Sequence, residues 1–302
     1  MTGGDIETSA DTTLREREVP QTLWHYTSRE GLLGILKEKA GWATHISYLN
    51  DAKEFRHAAE LMQGLLSARE PADDHERLAL EAMRRIELTE LSPSIQGGFV
   101  FSLSAKGDDL SQWRGYCKGR DAYALGFSGA NLRDTLGRSG FALVPCEYDP
   151  AVQRKLLSEV IDTCFKTMHR LGAGGGPLQP HVNPDLAFPL LFLSLLEVAS
   201  VIKHPKFEGE QEWRLVSSSV YPDPLKVIFR AKRSLLVPYR TVALKSLGPY
   251  LGITDIVVGP TPHMRLEVGA LEQLFLTYAL PAAGQPTTQL RIRRSEVPYR
   301  DW

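Results

Sequence analysis

Hydrophobic and polar positions change period several times along these 302 residues. Thr22-Leu-Trp-His-Tyr26 reads as a strand. Ser28 then suits the cap of a helix over Arg29–Lys39, with Leu32, Leu33 and Leu36 on one face. Helical spacing returns at Phe55, Ala58, Ala59, Met62 and Leu65 or Leu66, and again from about Asp74 to Ile86. Phe99, Phe101 and Leu103 share one face of a strand, with Val100, Ser102 and Ser104 on the other. A short helix over Asp108–Cys117 follows, then strands near Ala122–Phe127 and Phe141–Tyr148. Residues 150–170 read as helix, Gly172–Pro180 as a Gly/Pro loop, and Asn183-Pro184 as the start of an apolar helix. The last third predicts strands at Glu212–Ser217, Lys226–Ala231, Ser234–Leu244, Ile253–Val258 and Gln289–Arg293. A helix from about Pro262 to Tyr278 precedes the last of them.

Strands and helices do not alternate regularly, so a doubly wound parallel sheet is not expected. The pattern predicts an α+β fold: a mixed, mostly antiparallel sheet core with flanking helices. Residues 1–19 read as a disordered tail and 20–302 as a single domain.

Composition narrows the function classes. Lys and Arg total 35 against 36 Asp and Glu, so a protein that coats nucleic acid is not expected. The runs Lys226–Arg240 and Arg291–Arg300 leave a local phosphate-facing surface open, beside the plainer reading of solvated strand faces. Three scattered cysteines, without a C-x-x-C pair, argue against a disulfide framework or a cysteine zinc site and suit a reducing cytoplasm. The histidines form no metal-ligand pair, so no metal is expected. The N-terminus lacks the apolar core of a signal peptide, and Leu186–Ile202 contains Pro189 and Glu197, which favours a buried helix over a membrane span. No P-loop, G-x-G-x-x-G or G-x-S-x-G is present.

Four segments carry candidate chemistry. In W-H-Y-T-S, His25 and Tyr26 point to opposite faces of a strand, so one can meet a ligand while the other packs. In L-N-D-A-K-E, Asp51 and Glu54 fit a capping box, and Asn50 is a secondary candidate for ligand binding. Ser102 and Ser104 share a strand face whose hydroxyls can orient a carboxylate; Trp113 in the following W-R-G-Y fits a core plug equally well. In E-Q-E-W-R, alternation turns Trp213 and Leu215 inward and sets Glu210, Glu212 and Arg214 together on the other face. Two carboxylates there repel, which raises one of their pKa values unless Arg214 offsets it. A solvated charged strand face is the plainer reading of the same residues.

Taken in order, His25–Thr27, Leu49–Glu54, Phe101–Ser102, Trp113–Tyr116, Glu210–Arg214, Gly259–Pro260 and Ser295–Arg300 resemble a widespread bacterial domain family of unknown function. The layout also resembles, more distantly, the ADP-ribosyltransferase superfamily in its branch with a His, Tyr, Glu signature. That resemblance implies NAD as a substrate and an ADP-ribosyltransferase-like fold. It implies that His25, with Tyr26 and Thr27 beside it, binds NAD and that Ser102 and Ser104 brace the catalytic carboxylate. Glu212 then grips the nicotinamide ribose, and Glu210 polarises or deprotonates the acceptor. Arg214 and Asn50 are expected at the substrate. Which of Tyr26, Trp113 and Tyr116 stacks on nicotinamide stays open. The implied function is an ADP-ribosyltransferase or NAD hydrolase, as a toxin or anti-phage effector, acting on a nucleic-acid or protein acceptor. The alternative is a non-catalytic nucleotide or nucleic-acid sensor module.

Overall fold

The computed structural model describes residues 14, 16–49, 53–90, 98–116, 122–172, 184–217, 226–232, 235–278 and 290–298. Ten strands join in one sheet: β1 Thr22–Ser28, β2 Gly41–His45, β3 Phe99–Ser104, β4 Ala122–Ser128, β5 Phe141–Pro145, β6 Glu212–Ser217, β7 Ile228–Lys232, β8 Leu235–Val242, β9 Ile253–Val258 and β10 Arg291–Arg294. Of these strands only β10 and β9 pair in parallel; every other pairing is antiparallel. The fold is therefore α+β with a mixed, mostly antiparallel sheet, as the pattern predicts.

Eight α-helices flank it among the described residues: α1 Arg29–Glu38, α2 Lys53–Ala68, α3 Asp74–Arg84, α4 Leu110–Tyr116, α5 Gly129–Gly137, α6 Pro150–Gly172, α7 Ala187–Ala199 and α8 Met264–Tyr278. Ser28 does cap α1, accepting from the backbone of Gly31. The apolar stretch forms the 13-residue α7, and no described helix is long and apolar enough to cross a membrane. Of the expected tail, Leu14 packs on Leu156 and Arg17 pairs with the buried Glu147.

The sheet forks at β3. Along one edge β3 pairs with β6, from Val100↔Val216 to Ser104↔Glu212, and β5 extends that wing. Along its other edge β3 pairs with β2 at Phe99 and Val100 and with β1 only at Trp24↔Ser104. Two apolar bodies follow. Phe99, Phe101, Leu103, Trp213 and Leu215 face a core shared with α1, α5 and α8. On the opposite side of the β3–β6–β5 wing, α2, α3, α6 and α7 close a second core around Met62, Leu157 and Leu195. Trp213 thus packs inward as strand alternation predicts.

Candidate functional site

The fork leaves the edge of β3 without a strand partner between β2 and β1, and the His25 side chain fills that gap. Its Nδ1 lies 2.9 Å from the carbonyl oxygen of Ser102, and the ring stacks on Phe101 at 4.1 Å. A carbonyl only accepts, so Nδ1 carries the proton and Nε2 keeps a lone pair. Burial is the main cause that lowers the imidazole pKa to about 4, so the ring is neutral at physiological pH. The backbone carbonyl of Ser102, which a paired strand would have satisfied, is satisfied by a side chain instead.

A narrow cleft of about 30 Å³ opens where β1 and β3 part, lined by His25, Ser102, Ser104, Gln112, Glu210 and Glu212 among others. The residues reach it from both sides of the sheet. His25 belongs to the Phe101 side, whereas Ser104, Glu212 and Arg214 belong to the side that faces α2 and the end of α7.

The acidic end of this cleft is not the solvated strand face that alternation allows. Glu212 is 5% and Arg214 1% exposed. Arg214 donates from Nε to Glu212 Oε1 at 2.9 Å and from Nη2 to Glu212 Oε2 at 3.0 Å. It also donates to the Ser200 carbonyl at 2.9 Å and to Glu54 at 2.7 Å. Lys203 donates to Glu212 at 2.6 Å and to Glu210 at 2.8 Å, and its Nζ stands 3.4 Å from Glu54. Burial pushes the Glu212 carboxyl up, but Arg214 and then Lys203 outweigh it and hold the pKa at about 2. The rise that repulsion would give one carboxylate does not occur at Glu212, because Arg214 offsets it, as the sequence allows, together with Lys203. Lys203 is raised in turn: burial opposes its charge, and Glu212 and Glu54 outweigh burial. Three carboxylates and two cations leave this cluster one negative charge in surplus, and Glu210 is its most exposed carboxylate, at 24%.

Glu210 is not on β6. It ends a 3₁₀ turn over Pro205–Glu210, and Gln211 between it and Glu212 is left-handed, at φ 44° and ψ 50°. This kink replaces the simple alternation expected for E-Q-E, and Lys203 brings the two carboxylates back together.

The other candidates separate. Ser104 Oγ donates to the Glu210 carbonyl at 2.7 Å, so it fixes the backbone of the turn rather than a carboxylate. Tyr26 donates to the Lys106 carbonyl at 2.9 Å and meets Trp113 edge-on at 4.8 Å. Trp113 is 1% exposed and donates to Asp108 at 2.6 Å, which makes it the core plug. Thr27 packs against the first turn of α1, where its Oγ1 occupies the space a Cβ on Gly31 would need. Arg214, expected at the substrate, has its guanidinium consumed inside the protein and positions Glu212 and Glu54 instead. Asn50 lies outside the described residues, as does the side chain of Tyr116.

Two cluster members escaped the reading of the sequence. Glu54 fits the local rule of a capping box, yet it is buried and pairs with Arg214. The signal was its place in L-N-D-A-K-E, one of the ordered motifs. Lys203 had no local signal. Among the described residues no group of three or more His, Cys, Asp or Glu could hold a metal ion. Cys146 and Cys164 are free and buried.

A second, broader cleft of about 560 Å³ shares Trp24 with the first and is lined by Asp108, Arg293, Arg294 and Glu296 among others. Arg293 lies over the Trp24 ring at 5.2 Å. Asp108 is occupied there by Trp113, Ser295 and the Glu296 backbone.

Comparison with known proteins adds little beyond the geometry. Residues 112–215, about a third of the chain, match a family described as "Protein of unknown function (DUF2971)". The matched segment holds Trp113, Tyr116, Lys203, Glu210, Glu212 and Arg214, and it agrees with the resemblance drawn from the ordered motifs. No curated protein matches the sequence. Among solved structures, Thermus sp. 2.9 DarT in complex with ADP-ribosylated ssDNA is 12% identical, over 91% of this chain and 94% of that one, with a TM-score of 0.33. A superposition at that score carries no argument about fold or chemistry.

Proposed function

We propose that this protein binds NAD in the cleft at the fork and breaks its nicotinamide glycosidic bond, transferring ADP-ribose to an acceptor or to water. The observation that carries the reading is the convergence of His25, Ser102, Ser104, Glu210 and Glu212 on one cleft. These residues are up to 187 positions apart in sequence, and the fork brings them together.

The chemistry follows from charge. As the bond breaks, nicotinamide leaves with the electron pair and the ribose C1′ becomes a cation. An anionic site in a desolvated cleft stabilises that cation more than the ground state. The cluster has one uncompensated negative charge, and its carboxylates Glu210 and Glu212 line the cleft. Glu212 Oε1 takes one hydrogen bond from Arg214 and has a second acceptor position for a ribose hydroxyl. His25 Nε2 accepts a second sugar hydroxyl. Glu210 takes the proton from the acceptor nucleophile as it bonds to C1′. The broader neighbouring cleft takes the rest of the dinucleotide or the acceptor, where Arg293 and Arg294 can meet phosphates.

A second reading has its own support. Two cations already bond Glu212, so a non-catalytic nucleotide-binding module would also use this cluster, as a purely structural one. Nicotinamide release from NAD, measured with single-stranded nucleic acid and with protein acceptors, separates the two. Release that falls at least about a hundredfold in Glu212→Gln supports catalysis. Saturable NAD binding that is lost in His25→Ala, with no nicotinamide released, supports the module. No release and no binding refutes both. A toxin or effector role adds that induced wild-type protein, but not Glu212→Gln, arrests growth.

A further inference from the structure

Among the described residues, Lys203 is the one whose side chain reaches all three cluster carboxylates, at 2.6 Å from Glu212, 2.8 Å from Glu210 and 3.4 Å from Glu54. Its backbone is clamped on both sides. The amide donates to the Glu147 carbonyl at 3.1 Å, and the carbonyl accepts from Gln153 Nε2 at 2.7 Å. The residue is 4% exposed. Its ammonium stands 5.3 Å from the Phe207 ring.

Glu212 has a second cation in Arg214, and so does Glu54. Lys203 is the cation within ion-pair reach of Glu210 among the described residues. Gln211 is left-handed, so strand geometry does not hold Glu210 beside Glu212. The lysine does. The groups facing the ammonium are Glu54 from α2, Glu210 from the 3₁₀ turn, and Glu212 and Arg214 from β6, and each is placed for the lysine to link the carboxylates. The Cys146 thiol after β5 is kept neutral by burial.

The geometry points to Lys203 as a positioning residue that sets Glu210 and Glu212 at one spacing for a cationic ligand or transition state. The assignment of the two carboxylates to catalysis rests on the function proposed above; their dependence on Lys203 does not.

The experiment follows the carboxylates directly, by carbon NMR of protein labelled at the glutamate side-chain carboxyl. In Lys203→Met the Glu212 carboxyl is expected to titrate about one pH unit or more higher than in wild type, and Lys203→Arg is expected to restore it. Unchanged Glu212 titration in folded Lys203→Met overturns the proposal. If Lys203→Met does not fold, nitrogen NMR of lysine side chains replaces it in other variants. One exchange-protected ammonium that shifts in both Glu210→Gln and Glu212→Gln supports the proposal, and one that shifts in neither overturns it. With NAD, Lys203→Met should lower kcat for nicotinamide release about a hundredfold, with KM little changed and the pH optimum raised. A wild-type protein that releases no nicotinamide refutes the proposed function, while the NMR result still decides the role of Lys203.

Discussion

Replacing Arg214 by Met removes one of two buried cations and keeps much of the side-chain volume. What remains is three carboxylates around Lys203 alone, hence two surplus negative charges in place of one. The structure sets the size of the effect. Arg214 is the larger of the two cationic influences that hold Glu212 at about 2 rather than its ordinary 4.5. At ~1.4 kcal/mol per pH unit that gap corresponds to about 3 kcal/mol of stability at neutral pH. Breaking a buried pair from one side costs about 3–5 kcal/mol, because the abandoned charge stays in the interior. The variant should therefore lose about 3–5 kcal/mol at pH 7, measured by urea unfolding. Its pH dependence should also invert. In wild type the depressed Glu212 stabilises the fold above pH 4.5, and this is lost as pH falls toward about 2. In Arg214→Met the uncompensated carboxylate has a raised folded pKa. It destabilises at pH 7, and part of the loss returns as pH falls toward 4.5. His25 destabilises both proteins alike in acid, so the difference between the two unfolding curves is the quantity to read. A difference that stays constant from pH 8 to pH 4.5, or one below about 1 kcal/mol, refutes the account of the cluster.

His25 should stay neutral in the Nδ1–H form down to about pH 5 and take up its proton only near 4, which nitrogen NMR of the imidazole reads. Because its folded pKa lies below the ordinary 6.5, its protonation favours the unfolded chain. Stability should therefore fall between pH 6.5 and 4, and His25→Phe should remove that fall. Gln211 has a left-handed backbone that costs an L side chain about 1–2 kcal/mol, so Gln211→Gly should be neutral or stabilising and Gln211→Val destabilising in urea midpoints. The reverse order would refute the left-handed turn at Gln211 that takes Glu210 off β6.

Local rules made part of the site legible. Period-two spacing assigned Trp213 and Leu215 to the core and Ser102 and Ser104 to the other face, and all four packed so. The order of motifs brought His25 and Glu212 under suspicion together. What failed was each place where a local rule was satisfied but did not decide the outcome. Glu54 completes a capping box three residues after Asp51, yet its carboxylate is bonded to a guanidinium 160 positions away. Alternation in E-Q-E assumes extended backbone, and Gln211 is not extended. Lys203 sits in K-H-P after an apolar helix, and nothing within ten residues marks it as a partner of α2. The strand β2, Gly41–His45, lacks alternation, because His45 and Ala43 are buried and Thr44 is too. The helix α5 opens at Gly129, a poor helix former, and is set by the Ser128 cap and by Leu132 and Leu136.

The charge of the cluster bears on why it is there at all. It lies where β6 meets α2 and the end of α7, between two apolar cores that could have been joined by apolar side chains. A buried ion pair is a weak source of stability, since burying both charges costs about what their attraction returns. A seam built only for stability needs no lysine, and it gains nothing from a surplus negative charge. This one has both, and its most exposed carboxylate, Glu210, stands at the cleft mouth with its geometry set from below by Lys203 and Gln211. A ligand carrying one positive charge would bring the assembly to neutrality. On the function proposed above, that is the condition under which a desolvated acidic cleft favours a cation over a neutral competitor.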